Sequence, residues 1–321
     1  MNKNLYIAKN RKNDEFYTQL IDIEKELKHY NLENKIIYLN CDNPYESNFY
    51  KYFKDNFDKI NPKKVITTFY SRNNKTYKTI LTKDLEIKVP IEGNGDFRSD
   101  ESIKTLKKCD VVITNPPFSL IGYFINILIK YNKDFLIIGS KNITNKKEIA
   151  KLIVDKLIHT GINHGTMYFK TPNGKLKKFS NIRWYTNLNN NKKYKKIKLD
   201  KIYKKNNYNI YYNYDAINID RIKDIPKDYK GLMGVPVTFI DLYNPDEYEI
   251  VAISNNYINT KYNHIRINKD EYAYVDNEGN ILHKMPYSIK EAKIGNSLRL
   301  QNKDGSPGKI PYTRVIIKKI T

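Results

Sequence analysis

Short runs of almost wholly apolar residues recur through the first half of this chain, each followed by a segment of different texture. Ile36-Ile37-Tyr38-Leu39 ends in a polar turn, Asn40-Cys41-Asp42-Asn43-Pro44. Phe49, Tyr52, Phe53 and Phe57 then fall at i, i+3, i+4 and i+8, one aromatic face of a helix. Residues 65–70, 110–114 and 135–139 repeat the apolar pattern. Between the last two, Leu120, Phe124, Leu128 and Tyr131 have helical spacing. Strands buried on both faces read as continuous apolar runs, and helical crossovers between them make neighbouring strands parallel. The expected fold class is therefore α/β, a doubly wound sheet covered on both faces.

From about residue 166 the texture changes. Residues 166–170 and 182–186 flank Pro172-Asn173-Gly174, which reads as a β-hairpin. Residues 192–205 hold eight lysines in fourteen positions. Beyond them, short β-like runs at 235–242, 248–253, 272–275 and 314–320 are separated by Gly, Pro, Asn and Asp. The expected organisation is a core over residues 1–190, then a basic segment and a β-rich remainder over residues 191–321, with a soft boundary.

Charge narrows the function. The 321 residues carry 57 Lys+Arg against 35 Asp+Glu, a formal net charge of +22. Such an excess draws polyanions, nucleic acid first among them. Over-use of Lys, Asn, Ile and Tyr also fits an AT-rich genome, but that bias leaves the low Asp and Glu counts unexplained. No apolar stretch reaches the roughly 18 residues that span a bilayer, and the polar, basic N-terminus lacks the apolar core of a signal peptide. Two cysteines, Cys41 and Cys109, do not make a disulfide scaffold, and they show no zinc-ligand spacing with the five histidines. A soluble cytoplasmic protein that binds no metal and no membrane is expected.

The residues best placed for chemistry are Asn115-Pro116-Pro117-Phe118, directly after the apolar run 110–114. Ligands of open α/β sheets bind outside the carboxyl ends of the strands. Two prolines fix the backbone and remove two amide donors. They leave the Asn115 side-chain oxygen and the Pro116 carbonyl as acceptors that can converge on one amino group. An exocyclic amine on a base is a poor nucleophile, and accepting two hydrogen bonds from it localises its lone pair toward the direction of attack. Phe118 offers an apolar face to a planar ring, and a base in a duplex reaches such a pocket only when flipped out. The alternative is a rigid strand-to-helix turn with no chemistry.

That tetrapeptide resembles the catalytic motif of amino-methyltransferases. Glu15-Phe16-Tyr17-Thr18, Asn40-Cys41-Asp42-Asn43-Pro44 followed by Ser47-Asn48-Phe49, Gly95-Asp96-Phe97-Arg98-Ser99, Asn181-Ile182-Arg183-Trp184-Tyr185-Thr186-Asn187 and Gly234-Val235-Pro236-Val237-Thr238-Phe239 extend the resemblance. Together they are similar to the EcoRI-type adenine-specific DNA methyltransferases over roughly residues 14–245. The resemblance implies a Rossmann-like methyltransferase core, a C-terminal target-recognition region, and transfer of a methyl group from S-adenosyl-L-methionine to the N6 amino group of adenine in double-stranded DNA. It also implies a restriction–modification setting, with a restriction endonuclease as functional partner. Position by position, it implies that Tyr17 and Thr18 lie against the methionine end of the cofactor. It places Cys41 and Asp42 in the cofactor loop, Asp96 against the adenosine, and Asn115, Pro116, Pro117 and Phe118 around the target adenine. The chain departs from many methyltransferases in having no glycine from Asn31 to Asp58.

Transfer from a sulfonium needs alignment more than auxiliary groups. Neither cysteine follows a proline, the context expected for attack on a pyrimidine ring, so amino-group methylation is favoured. Lys192, Lys193, Lys195, Lys196 and Lys198 are candidates for phosphate contacts, or for a solvated linker; the two roles are compatible. Tyr194 and Tyr203 could stack on bases. Three other readings stay open: an RNA methyltransferase, a non-catalytic DNA-binding protein, and a metal-dependent restriction nuclease using Glu86-Ile87-Lys88 with Asp84.

Overall fold

A computed structural model describes residues 17–71, 76–171, 174–189, 196–212 and 214–253, with shorter pieces at 257–258, 273–275, 281–284, 300–301, 303, 310 and 312–320. Of the residues named above, Glu15, Phe16, Pro172, Asn173, Tyr194, Lys192, Lys193 and Lys195 lie outside these stretches. The chain divides into two compact units, Met1–Ile143 with Ile158–Lys192, and Thr144–Leu157 with Lys193–Thr321.

The first unit is built on a nine-stranded sheet. In chain order its elements are β1 (Tyr17–Thr18), α1 (Leu20–Leu27), β2 (Ile36–Leu39), α2 (Asn48–Asp55), α3 (Phe57–Ile60), β3 (Lys64–Thr67), β4 (Tyr77–Leu81) and β5 (Glu86–Pro90). They continue with α4 (Asp100–Lys108), β6 (Val111–Thr114), α5 (Ile121–Lys130), β7 (Asp134–Ser140), β8 (His159–Lys170) and β9 (Leu176–Thr186). Across the sheet the order is β1-β8-β9-β7-β6-β2-β3-β4-β5. The four apolar runs of the sequence form the parallel centre, β7-β6-β2-β3, with Ile37 opposite both Val65 and Val111 and Val112 opposite Phe135. The other strands are antiparallel, so the sheet is mixed rather than wholly parallel.

Local chemistry sets the helix ends. Ser47 caps α2, its Oγ accepting from the Phe49 and Tyr50 amides, and Ser99 caps α4 through the Ser102 amide. Asp100 and Glu101 open α4 and Lys107 and Lys108 close it, each charge opposing the helix dipole. The aromatic face of α2 buries Phe49, Tyr52 and Phe53 as its spacing predicts, but the helix ends at Asp55, and Phe57, expected on the same face, opens α3 half-buried. Phe49 meets Trp184 of β9 edge-on, ring centroids 6.0 Å apart.

Two features were not foreseen. The hairpin β4–β5 extends the sheet, although β5 is mostly exposed and alternates charged with apolar residues. The strand expected over residues 65–70 accordingly stops at Thr67. The second is a break in β8, whose pairing with β9 shifts between Thr160 and His164. The carboxylate of Glu26, fully buried, fills that break: it accepts from the Ile162 amide (2.8 Å), the Asn163 amide (2.8 Å), the Asn163 side chain (2.8 Å) and the Tyr30 hydroxyl (2.7 Å). A bulge leaves ladder amides unpaired, and here α1 supplies their acceptor. Gly161 is required beside it, since a Cβ would stand 2.2 Å from Glu26 Oε1.

In the second unit, β10 (Ile217–Asn218), β11 (Leu232–Pro236), β16 (Arg314–Lys319), β12 (Tyr248–Ile253) and β13 (Tyr257–Ile258) form one sheet in that order. A separate pair comprises β14 (Ala273–Val275) and β15 (Ile281–Lys284). The helix α6 (Lys147–Val154) packs on β12. Asn218 Oδ1 accepts from the Tyr211 hydroxyl (2.8 Å) and Arg314 Nε (3.0 Å), and Gly234 leaves room for the Tyr211 hydroxyl. The β-run expected over residues 235–242 is corrected: β11 ends at Pro236, which cannot donate to a ladder, and α7 (Phe239–Leu242) follows.

Replacing Glu26 by Ala removes the shared acceptor of four donors, the buried Tyr30 hydroxyl and three part-buried groups of Ile162 and Asn163. The expected outcome is a loss of about 3 kcal/mol in stability, read as a lowered urea midpoint with unchanged slope; an unaltered midpoint would remove Glu26 from this role.

Candidate active site

Because β2, β3, β6 and β7 run parallel, the turns that follow them emerge on one edge of the sheet. The turn after β2 carries Cys41 and Asp42. The Asp42 amide donates to the Thr68 carbonyl (3.1 Å), and the Thr68 amide to the Leu39 carbonyl (3.1 Å), carrying the β2–β3 ladder past its last assigned pair. Tyr38 and Thr68 share a hydroxyl hydrogen bond of 2.7 Å.

The Asp42 carboxylate is only 7% exposed, and both its oxygens are engaged. Oδ1 accepts from the Ser47 hydroxyl at 2.6 Å, and Oδ2 from the Thr114 hydroxyl at 2.5 Å. Thr114 is the last residue of β6 and immediately precedes Asn115. Burial pushes the Asp42 carboxyl up to about 6, against the lowering by its two hydroxyl partners. Burial, then the charges of Asp42 and Asp96, push the Cys41 thiol well above its ordinary value. Burial likewise raises the Cys109 thiol to about 12. Neither cysteine is poised as a thiolate nucleophile at neutral pH.

The strand β1 joins the same edge. The Tyr17 hydroxyl donates to Glu46 (2.8 Å), which also accepts from the Asn43 side chain (3.2 Å), while Asn48 Nδ2 donates to the Thr18 carbonyl (2.7 Å). Thr18 Oγ1 is buried and has no hydrogen-bond partner among the described residues. Tyr17, Thr18, Cys41 and Asp42 are thus brought together from two distant stretches of sequence.

Asp96 sits in a turn that Gly95 makes possible: Gly95 has φ +71, and a Cβ there would lie 2.0 Å from the Phe69 carbonyl oxygen. Arg98 grips Asp96 through Nε (2.8 Å), Nη2 (2.5 Å) and its own amide (2.9 Å). The Asp96 carboxylate is therefore held by the protein, and its proposed cofactor contact must share it with Arg98.

Past Thr114 the chain turns at Asn115, whose side-chain oxygen is buried. Pro116 is buried, Pro117 and Phe118 half-buried. The Pro117 carbonyl accepts from the Leu120 amide (2.9 Å) as α5 begins. The Phe118 ring is met edge-on by Phe169 of β8 at 5.9 Å and Phe179 of β9 at 6.1 Å. Two edges fix the plane of the ring, which is what a stacking platform requires.

The remaining candidates separate. Lys196 and Lys198 are exposed in the second unit, in a stretch without regular structure. Tyr203 packs on Tyr208 and Tyr229, ring centroids 5.7 and 4.4 Å away, so its faces serve the protein. Glu86 is paired with Lys54 (2.6 Å), which holds its carboxyl below the usual range, and Lys88 lies 4.3 Å above the Tyr45 ring. The carboxylate-x-Lys triplet of β5 is thus engaged with α2 and the turn before it. Glu46 and Thr114 carry no mark in the sequence, and Ser47 and Asn48 enter there only as part of the family resemblance, without a role. A serine before an aromatic helical face is a cap signal that could have found Ser47; nothing local marks Thr114.

A change at Asp42 has a pH signature. Its folded value of about 6 lies above the ordinary 3.8, so the native state binds the proton more tightly. Its contribution to stability is complete below about pH 4 and is lost as pH rises through about 6. The stability advantage of wild type over Asp42→Asn should therefore shrink by up to roughly 3 kcal/mol between pH 4 and 7, measured by denaturation at each pH. A constant difference would contradict it.

The adenine-specific methyltransferase EcoRI family model matches residues 4–320. The type II methyltransferase M.EcoRI of Escherichia coli is 39% identical over 290 residues, covering 78% of this chain and 89% of that protein. M.MgeORF184P of Mycoplasma genitalium is 37% identical over 273 residues, and M.MpnI of Mycoplasma pneumoniae 32% over 273 residues. Each alignment covers 78% of this chain and 86% of the relative. No solved structure matches. A family match over nearly the whole length, on a mixed sheet with the Asn115 corner at its carboxyl edge, makes this chain a member of the EcoRI family of adenine-specific methyltransferases.

Proposed function

We propose that this enzyme transfers the methyl group of S-adenosyl-L-methionine to the N6 amino group of an adenine flipped out of double-stranded DNA, as the modification activity of a restriction–modification system. The observation that carries this reading is the proline-locked corner Asn115-Pro116-Pro117-Phe118. It lies at the carboxyl end of β6 and is tied through Thr114 to the turn after β2.

The parts divide the work. Tyr17, Thr18 and the turn around Cys41 and Asp42 hold the methionine end of the cofactor, and the buried, unsatisfied Thr18 hydroxyl offers it a polar contact. Asp96, shared with Arg98, faces the adenosine. The cofactor supplies an already activated methyl on a sulfonium. The Asn115 side-chain oxygen and the Pro116 carbonyl would accept hydrogen bonds from the two N–H groups of the adenine amine and aim its lone pair, and the one proton the methylated amine must lose would pass to solvent. Phe118, braced by Phe169 and Phe179, stacks on the purine. Binding and orientation are the whole of the protein's task, and holding two reactants in line can supply most of such a barrier reduction. The net charge of +22 and the exposed Lys196 and Lys198, with Lys192, Lys193 and Lys195 beside them in sequence, supply phosphate affinity that carries no sequence information. Residues 191–321 are proposed to hold the target-recognition region.

Purified protein, cofactor labelled on the methyl, and duplex DNA test the reading. Label is expected on adenine N6, with transfer by Asn115→Ala reduced at least about 100-fold while cofactor affinity holds. Label on RNA instead of duplex would transfer the activity to that substrate, and no label on any nucleic acid would end the proposal. Affinity for duplex should drop on the order of 10³-fold between 50 and 200 mM salt, measured by fluorescence anisotropy. A flat response would refute the phosphate contacts.

A further inference from the structure

We infer that Asp42 is a positioning residue, not a cofactor ligand: its two carboxylate oxygens couple the cofactor side of the site, through Ser47, to the target-base corner, through Thr114. The inference rests on the proposed methyltransferase site and assigns its residues a division of labour.

The hydrogen-bond directions require this arrangement. Ser47 Oγ accepts from the Phe49 and Tyr50 amides, so its own proton is what it gives to Asp42 Oδ1. Thr114 donates to Oδ2. With the main-chain amide of Asp42 fixed to Thr68, the residue joins four pieces of chain: the turn after β2, the exit of β3, the start of α2 and the end of β6. Residues flanking Ser47 reach the other way, Glu46 to the Tyr17 hydroxyl and Asn48 to the Thr18 carbonyl. One arm of the carboxylate therefore sets where the cofactor loop and β1 sit. The other sets the last strand residue before Asn115. Methyl transfer needs both reactants in line, so an error of a fraction of an ångström between the two sides is felt in the rate and not in either affinity alone.

This makes the arms separable. Thr114→Val keeps the shape of the side chain and deletes the donor. It should lower kcat on the order of 10- to 100-fold while the dissociation constant for S-adenosylmethionine, from calorimetry, stays within about twofold. Thr114→Ser, which restores a hydroxyl, should recover most of the rate. Ser47→Ala should show its main effect as weakened cofactor binding. Because Asp42 acts on the corner through Thr114, the losses in kcat from Asp42→Asn and Thr114→Val should not add, and the double variant should be no slower than Asp42→Asn alone.

Fully additive losses, or a Thr114→Val enzyme with wild-type kcat, would overturn the inference while leaving the methyltransferase reading intact. A wild-type enzyme that labels no DNA would overturn the reading itself and the inference with it. Should Asp42→Asn fail to fold, the Thr114→Val and Thr114→Ser pair decides the matter: equal rates for the two sink the inference.

Discussion

The direction shared by four central strands governs everything else in the first unit. With β7, β6, β2 and β3 parallel, every exit turn leaves on the same edge, and residues separated by more than seventy positions become neighbours. Asp42 and Thr114 meet because β2 and β6 are adjacent and in register. An antiparallel pair would have sent one of these turns to the opposite edge. The fold thus delivers the turn after β2 and the Asn115 corner to one place before any specific contact is made, and the polar contacts only refine their spacing.

How much of this is legible in a sequence depends on whether the signal is local. The central strands are written as apolar runs, and the aromatic face of α2 as i, i+3, i+4 spacing. Asn115-Pro116-Pro117-Phe118 is visible because two prolines after an apolar strand are unusual. By contrast, β5 alternates charged and apolar residues over five mostly exposed positions, a period-2 signal too short to place it against β4. Glu26 looks like an ordinary helix-surface acid. Its role is set by a break in β8 some 136 residues away, which no window of sequence contains. Thr114 reads as the end of an apolar run, and only the adjacency of β2 gives its hydroxyl a purpose. Ser47 falls between these cases: its capping role is local, its hydrogen bond to Asp42 is not.

The hairpin β8–β9 has a use beyond enlarging the sheet. It places Phe169 and Phe179 edge-on to Phe118 and to each other, the last pair 5.5 Å apart. Edge-to-face pairs contribute about 0.5–1.5 kcal/mol each beyond burial, enough together to hold one ring in one orientation. Phe118 follows a proline-locked turn whose backbone can scarcely move, so its ring is fixed from below by the chain and from the side by the hairpin. The Glu26 plug that stabilises the bulge of β8 is in this sense an indirect support of the corner.

A buried carboxylate with two hydroxyl partners is an expensive way to join four segments of chain. Burial raises Asp42 toward about 6, so at neutral pH the fold carries an ionised group it would be more stable without. A well-packed apolar contact would hold the turn after β2 to β6 at less cost. An apolar contact, however, fixes distance loosely, whereas two short charge-assisted hydrogen bonds fix distance and direction together. For a reaction whose barrier falls chiefly through alignment, that geometric definition is worth more to the enzyme than the stability forgone. The same reasoning fits a carboxylate that faces hydroxyls and not a cation: an arginine or lysine partner would relieve the burial cost, but would place a full positive charge beside the sulfonium of the proposed methyl donor.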